Sequence, residues 1–299
     1  MRNFKYFEPK TIEEACHLLS KFKNKAKILA GGTDLLIQMK REAIHPQSLV
    51  NIKKIDNLNY ILSQDNLLRI GALVTHKELI DSTVVEKDFN ILKEVCLAVG
   101  TVQIRNLGTL TGNICNASPS ADTVPTFIAL GAKLKIVSTR RERTVLVEDF
   151  FTAPFQTILE PDEMVTEVEI PSPTLNKSFV WGGCYSWLPK ITTTDETLVG
   201  VAVFLEIDQE RGRLRQVRIA LGSVAPTVMR AKESEKFLIG NKMDAKVFQD
   251  ASQIAVNEIA PRSRAEYRRH LAGVLVEKSL NIAAERALRG VSGHFDETN

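Results

Sequence analysis

Four cysteines in 299 residues, Cys16, Cys96, Cys115 and Cys184, include no C-x-x-C pair. That spacing excludes the usual signatures of a structural zinc, an iron–sulfur cluster or a redox dithiol, and it predicts free thiols in a reducing compartment. No stretch approaches the ~18 to 20 apolar residues of a membrane span, and the N-terminus carries no hydrophobic leader. The cytoplasm is the expected location, with no membrane partner. Excess charge of one sign is also lacking. The net charge is +3, and lysines and arginines alternate with acids, which argues against nucleic acid as a partner. The densest basic group, Arg140, Arg141 and Arg143 around Glu142, stands between two β-like runs and reads as a hairpin turn.

Catalytic signatures are missing as well. G-x-G-x-x-G, G-x-x-x-x-G-K-[ST], H-E-x-x-H and G-x-S-x-G do not occur. The five histidines are scattered, His17 and His76 on predicted helices, His45 beside Pro46, His270 in a long helix and His294 in the tail, and they read as surface or structural groups. Spacing alone assembles no acid/base pair and no nucleophile triad. Any catalysis is therefore expected to be carried by a cofactor.

What is present is enough for a core: 44% of the residues are hydrophobic and 25% charged, and the length argues for two domains. Thr11 with Glu14 opens a first helix, Thr75 with Glu78 another, each in capping-box spacing. Strands are predicted over 27–30, 49–52, 67–72, 133–137, 144–147 and 163–170, and Pro171 and Pro173 mark a boundary between domains at 1–172 and 173–290, with a flexible tail at 291–299. The first domain divides into subdomains of about 1–55 and 56–172. Beyond the boundary, strands over 178–185, 197–208 and 214–222 give way to helices, the first capped by Asp244 and the last running from Ala265 to Arg289. That order predicts an α+β module with an antiparallel sheet.

Two stretches stand out as ligand loops. In ILAGGTDLL a strand ends at Gly31-Gly32, and a helix starts beyond Thr33-Asp34; glycines permit positive φ and close approach, while a new helix leaves N–H groups free. Each such contact with an anion contributes only ~0.3 to 1 kcal/mol, so a pyrophosphate needs several donors. The second stretch, Gln103 to Asp122 (QIRNLGTLTGNICNASPSAD), is small and polar between two apolar helical patterns, with Gly100 as one stop and Gly131 as another. Such a surface suits phosphate and ribose. Plain readings stay open for both: a strand–turn–helix capped by Thr33 or Asp34, whose carboxylate is expected to turn away from any phosphate, and a surface loop whose end, Asp122, caps the next helix.

With these loops in view, the chain resembles the FAD-binding medium subunit of the molybdenum hydroxylases, the family of xanthine dehydrogenase and carbon monoxide dehydrogenase. Matching stretches cover nearly all of it: FKYFEPKTIEEA, ILAGGTDLL, LRIGALVTH, VGTVQIRNLGTLTGNICNASPSADTVP, VEIP, GSVAPTVMRAKESEKFL and EYRRHLAGVL. The resemblance implies a two-subdomain FAD-binding domain of the vanillyl-alcohol oxidase type, followed by a smaller α+β C-terminal domain. It assigns the pyrophosphate to the backbone of Ala30, Gly31, Gly32, Thr33, Asp34 and Leu35 and to Thr109, Thr111, Gly112 and Asn113, with Asp122 near the ribose and Leu29 and Val165 completing the site.

The role that the resemblance implies is an electron relay: a molybdenum–pterin large subunit hydroxylates the substrate, a [2Fe–2S] small subunit passes the electrons on, and FAD on this chain delivers them to an external acceptor. Two departures from the family pattern carry consequences. Thr111 replaces the first glycine of T-I-G-G-N, where a β-branched residue at positive φ costs roughly 1 to 2 kcal/mol. Relatives often carry a lysine and an arginine before the next strand, and WGGCYSWLPKITTTDET here reads as a reshaped loop with Lys190 as the one substitute. The alternative function is a scaffold subunit that keeps the fold with weak or lost FAD binding; a self-contained FAD oxidase finds no visible substrate base.

Overall fold

The computed structural model describes residues 2–172, 178–192 and 194–289. Its N-terminal lobe runs β1 (Lys5–Phe7), α1 (Ile12–Phe22), β2 (Ala26–Leu29), α2 (Leu35–Lys40) and β3 (Ser48–Asn51). The three strands form a parallel sheet in the order β1-β3-β2. Parallel neighbours need long crossovers, which α1 and α2 supply. Thr11 accepts from the Glu14 N–H, but Glu14 reaches back to the Lys10 N–H, so this box is only half closed. Ala15, Cys16 and Leu19 bury the helix against Val50 and Ile52.

The middle lobe follows with β4 (Ile61–Gln64), β5 (Leu67–Gly71), α3 (His76–Asp81), α4 (Thr83–Asp88), α5 (Asn90–Ala98), α6 (Val102–Leu107), α7 (Leu110–Asn116), α8 (Thr123–Ala129), β6 (Lys133–Val137), β7 (Glu142–Leu146), β8 (Phe151–Ala153), β9 (Gln156–Thr157) and β10 (Met164–Pro171). Five strands make an antiparallel sheet in the order β4-β5-β10-β6-β7. Leu68, Ile70, Leu134, Ile136 and Val168 from the strands share one core with Leu79, Leu92, Val95, Leu110, Ile114 and Phe127 from the helices. Asp65 and Asn66, both left-handed, turn the β4–β5 hairpin.

Two expectations need correction here. The stretch 103–122 is largely helical, because Thr101 and Thr109 each accept an N–H from three residues on (Ile104 and Gly112) and start α6 and α7. Asp122 precedes α8 but makes no side-chain cap; its carboxylate is claimed instead by the hydroxyls of Tyr185 and Thr197.

The C-terminal lobe comprises β11 (Phe179–Pro189), β12 (Thr197–Asp208), β13 (Arg213–Gly222), β14 (Met229–Arg230), α9 (Lys232–Leu238), α10 (Ala245–Glu258) and α11 (Ala265–Arg289), with the strands antiparallel in that order. Along β12 the side chains alternate between two cores. Ala202 and Phe204 enter the middle-lobe core, whereas Val201, Val203, Leu205 and Ile207 meet Ala251, Val276, Leu280 and Ala283 of the helices. Of the stretch 181–197, expected as a reshaped loop, Trp181 to Pro189 belongs to strand β11, which is paired with β12 along its length. Its glycines serve packing: a Cβ on Gly182 would lie 1.9 Å from the Ala283 carbonyl oxygen. Lys190 pairs with Glu196 at the hairpin end. Pro171 closes β10, while Pro173 and the tail at 291–299 lie outside the described residues.

Polar clasps join the lobes. Arg286 of α11 reaches Glu94 of α5 at 2.6 Å and the Gly183 carbonyl at 2.7 Å, and Arg230 reaches Glu148 at 2.7 Å. The four cysteines are unbridged, and no helix among the described residues is long and apolar enough to cross a membrane.

Candidate functional site

A cleft of about 1020 Å³ opens between the N-terminal lobe and the turns around α6 and α7. Ala30 to Leu35 and Gln38 form one wall, Gly108, Thr109, Thr111, Gly112, Asn113 and Asn116 the facing one, and Phe155 to Thr157, Leu159 to Pro161, Glu163 and Val165 close the end. A smaller cavity of about 360 Å³ lies across the same turns and shares Ala30, Gly31 and Thr109 with the cleft. The glycine turns thus stand between two hollows.

The local sequence explains that approach. Beyond β2 the backbone touches the end of α6 at Gly31, where a Cβ would sit 2.2 Å from the Leu107 carbonyl oxygen; Gly32 then turns the chain at φ +74° into α2. Among the described residues, no backbone N–H from 31 to 35 donates to a protein acceptor, and neither does that of Thr111. Buried or half-buried amides are almost always paired, so this run of free donors is a ready surface for acceptor oxygens. Thr111 stands in α7 with an ordinary helical backbone, so no positive-φ strain attaches to it. Its buried hydroxyl has no partner among the described residues.

Charge is distributed around the cleft. Lys23 and Lys27 line it on the side of β2, and Asp34 lines it too. Crowding by protein raises the Asp34 carboxyl above its ordinary range although one side is open to solvent. At the far end, burial pushes the Glu163 carboxyl up, but hydrogen bonds from Arg143 and the Glu160 N–H outweigh it and hold Glu163 below the usual range. Arg140 and Arg141 join this network through Glu160, Asp162 and Glu163, so the basic hairpin anchors the cleft wall. Burial likewise pushes the Cys115 thiol up to about 12, which leaves it protonated.

Of the residues that the sequence nominates, Ala30, Gly31, Gly32, Thr33, Asp34, Leu35, Thr109, Thr111, Gly112, Asn113 and Val165 come together in the lining. Leu29 packs with Met39 and Leu49 instead, and Asp122 lies outside the lining, held by Tyr185 and Thr197. Burial lifts the Asp122 carboxyl to about 6, against the hydrogen bonds from Thr197 and Tyr185 that lower it. Gly108, within the second nominated stretch, also lines the cleft, whereas the sequence reading overlooked the wall of Phe155 to Thr157 and Leu159 to Pro161, and His76, taken there as a plain helical histidine. A signal for His76 existed in its position directly behind the Thr75 cap, facing the second glycine stretch.

Tested against a dinucleotide, the lining fits: unspent amides at the turns, an orphan hydroxyl on Thr111, and two hollows that meet at Gly31 and Thr109. The volume stands at the upper end of the range for small-molecule sites, as an extended ligand requires.

Comparison with known proteins agrees with this geometry. Residues 2–173 match the family described as the FAD binding domain in molybdopterin dehydrogenase, and residues 188–283 the CO dehydrogenase flavoprotein C-terminal domain. The carbon monoxide dehydrogenase medium chain of Hydrogenophaga pseudoflava is 31% identical, over 95% of this chain and 98% of the relative. The xanthine dehydrogenase FAD-binding subunit of Escherichia coli O157:H7 is also 31% identical, over 94% and 96%. Among solved structures, carbon monoxide dehydrogenase from Hydrogenophaga pseudoflava superimposes with a TM-score of 0.90 at 32% identity, covering 96% of this chain and 99% of its counterpart. Quinoline 2-oxidoreductase from Pseudomonas putida 86 does so with 0.87 at 30%, covering 96% and 99%.

Proposed function

This chain belongs to the FAD-binding medium subunits of the molybdenum hydroxylases, and we propose that it holds FAD in the cleft between its first two lobes and relays electrons from partner [2Fe–2S] clusters to an external acceptor. It is an oxidoreductase subunit. One observation carries the reading: the turn at residues 31–35, with its N–H groups unspent, is pressed against the turn at residues 107–109 with a hollow on either side. A pyrophosphate bridging two heterocyclic halves has that shape and that demand for donors.

When bound, FAD supplies an acceptor that takes electrons singly or in pairs. This chain's residues do the holding. Gly31 and Gly32 bring the backbone donors of 31–35 within reach of phosphate oxygens, Thr111 offers its hydroxyl, and Val165 together with Phe155 to Thr157 shields the end of the cleft from water. Asp122 stands outside the cleft lining and binds the middle lobe to the C-terminal sheet. The relatives are a medium chain and an FAD-binding subunit of dehydrogenases, which supports a heteromeric setting. In that setting a molybdenum-pterin large subunit takes the substrate and an iron–sulfur small subunit delivers the electrons, because four scattered cysteines provide no cluster on this chain.

A visible spectrum and FAD titration of the isolated chain test the reading, beside a Gly32→Val variant. The φ of +74° at Gly32 and the Leu29 methyl 2.9 Å from a built Cβ make valine costly there. The expected result is a yellow, flavin-bearing wild type and a variant that takes up FAD poorly. A wild type that stays colourless in excess FAD would overturn it.

A further inference from the structure

His76 is 1% exposed, lines the cleft, and is used by nothing described above. It is the first residue of α3, directly behind a complete capping box in which Thr75 accepts the Glu78 N–H and Glu78 accepts the Thr75 N–H at 2.7 Å. Its own N–H donates to the Gly108 carbonyl at 3.1 Å, and the Leu110 N–H donates to the Val74 carbonyl at 3.0 Å. Two bonds therefore fasten the start of α3 to the turn that carries Gly108 and Thr109.

The imidazole is oriented just as firmly. Nδ1 lies 3.7 Å from the Cys96 sulfur on α5, inside the core. Burial pushes the Cys96 thiol well above its ordinary pKa, so it keeps its proton and is the natural donor to Nδ1. The ring proton is then left on Nε2. No protein group among the described residues accepts from it. The opposite ring edge stands at the meeting point of the two glycine turns: a Cβ built on Gly108 would be 3.4 Å from His76 Cδ2 and 3.5 Å from Thr33 Oγ1.

On the cofactor reading above, we infer that His76 is a ligand-contacting residue whose Nε2–H donates to the anionic, phosphate-bearing part of the molecule held in the cleft, with Cys96 as the positioning residue that fixes its tautomer. An imidazole N–H at the cleft lining without a protein acceptor is a ready donor, and a phosphate oxygen at this junction supplies its partner. Burial, with Arg105 adding to it, pushes His76 down to about 4, so near neutral pH the ring donates as a neutral group.

Two measurements on the full chain test this separately from the cofactor itself. The first follows the side-chain nitrogens of His76 by NMR while inorganic pyrophosphate, and then FAD, is added. The proposal expects an Nε2–H tautomer and a shift confined to Nε2; a protonated Nδ1, or nitrogens unmoved by both ligands, sinks it. The second compares FAD affinity in His76→Leu and His76→Gln. Leucine is expected to weaken binding about tenfold or more, and glutamine, whose amide nitrogen reaches near the Nε2 position, to restore most of it. If wild type and His76→Leu bind FAD equally, the contact is wrong while the cofactor reading stands. If FAD fails to bind but pyrophosphate still shifts Nε2, the cofactor reading falls and the anion contact stands. The NMR titration needs no variant, so a poorly folding His76→Leu leaves the proposal open to refutation.

Discussion

The Tyr185 hydroxyl donates to the Asp122 carboxylate at 3.1 Å, tying the third strand layer of the molecule to the helix that follows the cleft's second turn. Asp122 is raised to about 6 by burial, so the folded chain binds that proton more tightly than the unfolded one. Its contribution to stability is therefore full below the unfolded value near 4 and is lost as pH rises through 6. Asp122→Asn removes this slope. Denaturant melts at several pH values are expected to show the variant gaining on wild type between pH 4 and 7, by on the order of 2 kcal/mol. A difference that does not change with pH contradicts the assignment.

Glu163 behaves with the opposite sign. Burial raises it, but the Arg143 and Glu160 hydrogen bonds win and depress it, so its stabilisation is present above the unfolded carboxyl pKa and fades as pH falls. Its side chain is 1% exposed, and Arg143 is left facing a neutral amide in Glu163→Gln. A loss of about 2 to 4 kcal/mol is expected at pH 7, shrinking in acid, together with weaker FAD uptake because this residue pins the cleft wall. Urea midpoints and a flavin titration measure both.

Thr111 gives a prediction with two signs. Its buried hydroxyl has no partner among the described residues, so Thr111→Val is expected to stabilise the FAD-free chain by about 1 kcal/mol. The same change is expected to lower FAD affinity several-fold if the hydroxyl meets the cofactor. Thr111→Gly, which restores the family's glycine, instead loosens α7 by about 1 kcal/mol. Melting temperatures with and without FAD separate these outcomes.

At Gly31 the obstacle is backbone. A methyl there would fall 2.2 Å from the Leu107 carbonyl, so Gly31→Ala is expected to force the two turns apart, costing about 1 to 3 kcal/mol and most of the FAD affinity. Gly240 offers the contrast, with a positive φ and open space around it, so Gly240→Asn is expected to leave FAD binding untouched.

Much of this was legible in the residues, for identifiable reasons. β6, β12 and α11 fall within the predicted limits because their apolar periods are uninterrupted and their ends are marked. The helices α6 and α7 hid in a polar, glycine-bearing stretch, since their stability rests on Thr101 and Thr109 caps and on tertiary burial of Leu110 and Ile114, which no local period announces. β11 ran past Tyr185 for a similar reason: its partner β12 dictates pairing as far as Pro189. In the cleft, glycines and small polar residues were conspicuous, whereas the use of His76 depends on a sulfur twenty residues away and a turn thirty residues away.

β12 carries one further consequence. Its side chains feed two cores at once, and every residue from Thr197 to Ile207 is buried. Neither neighbour can come undone without stripping one side of that strand, so the middle and C-terminal lobes are thermodynamically one unit despite having separate sheets. Amide protons on Val201, Val203 and Leu205 then exchange with solvent only when the whole unit opens, and their protection is a gauge of global stability.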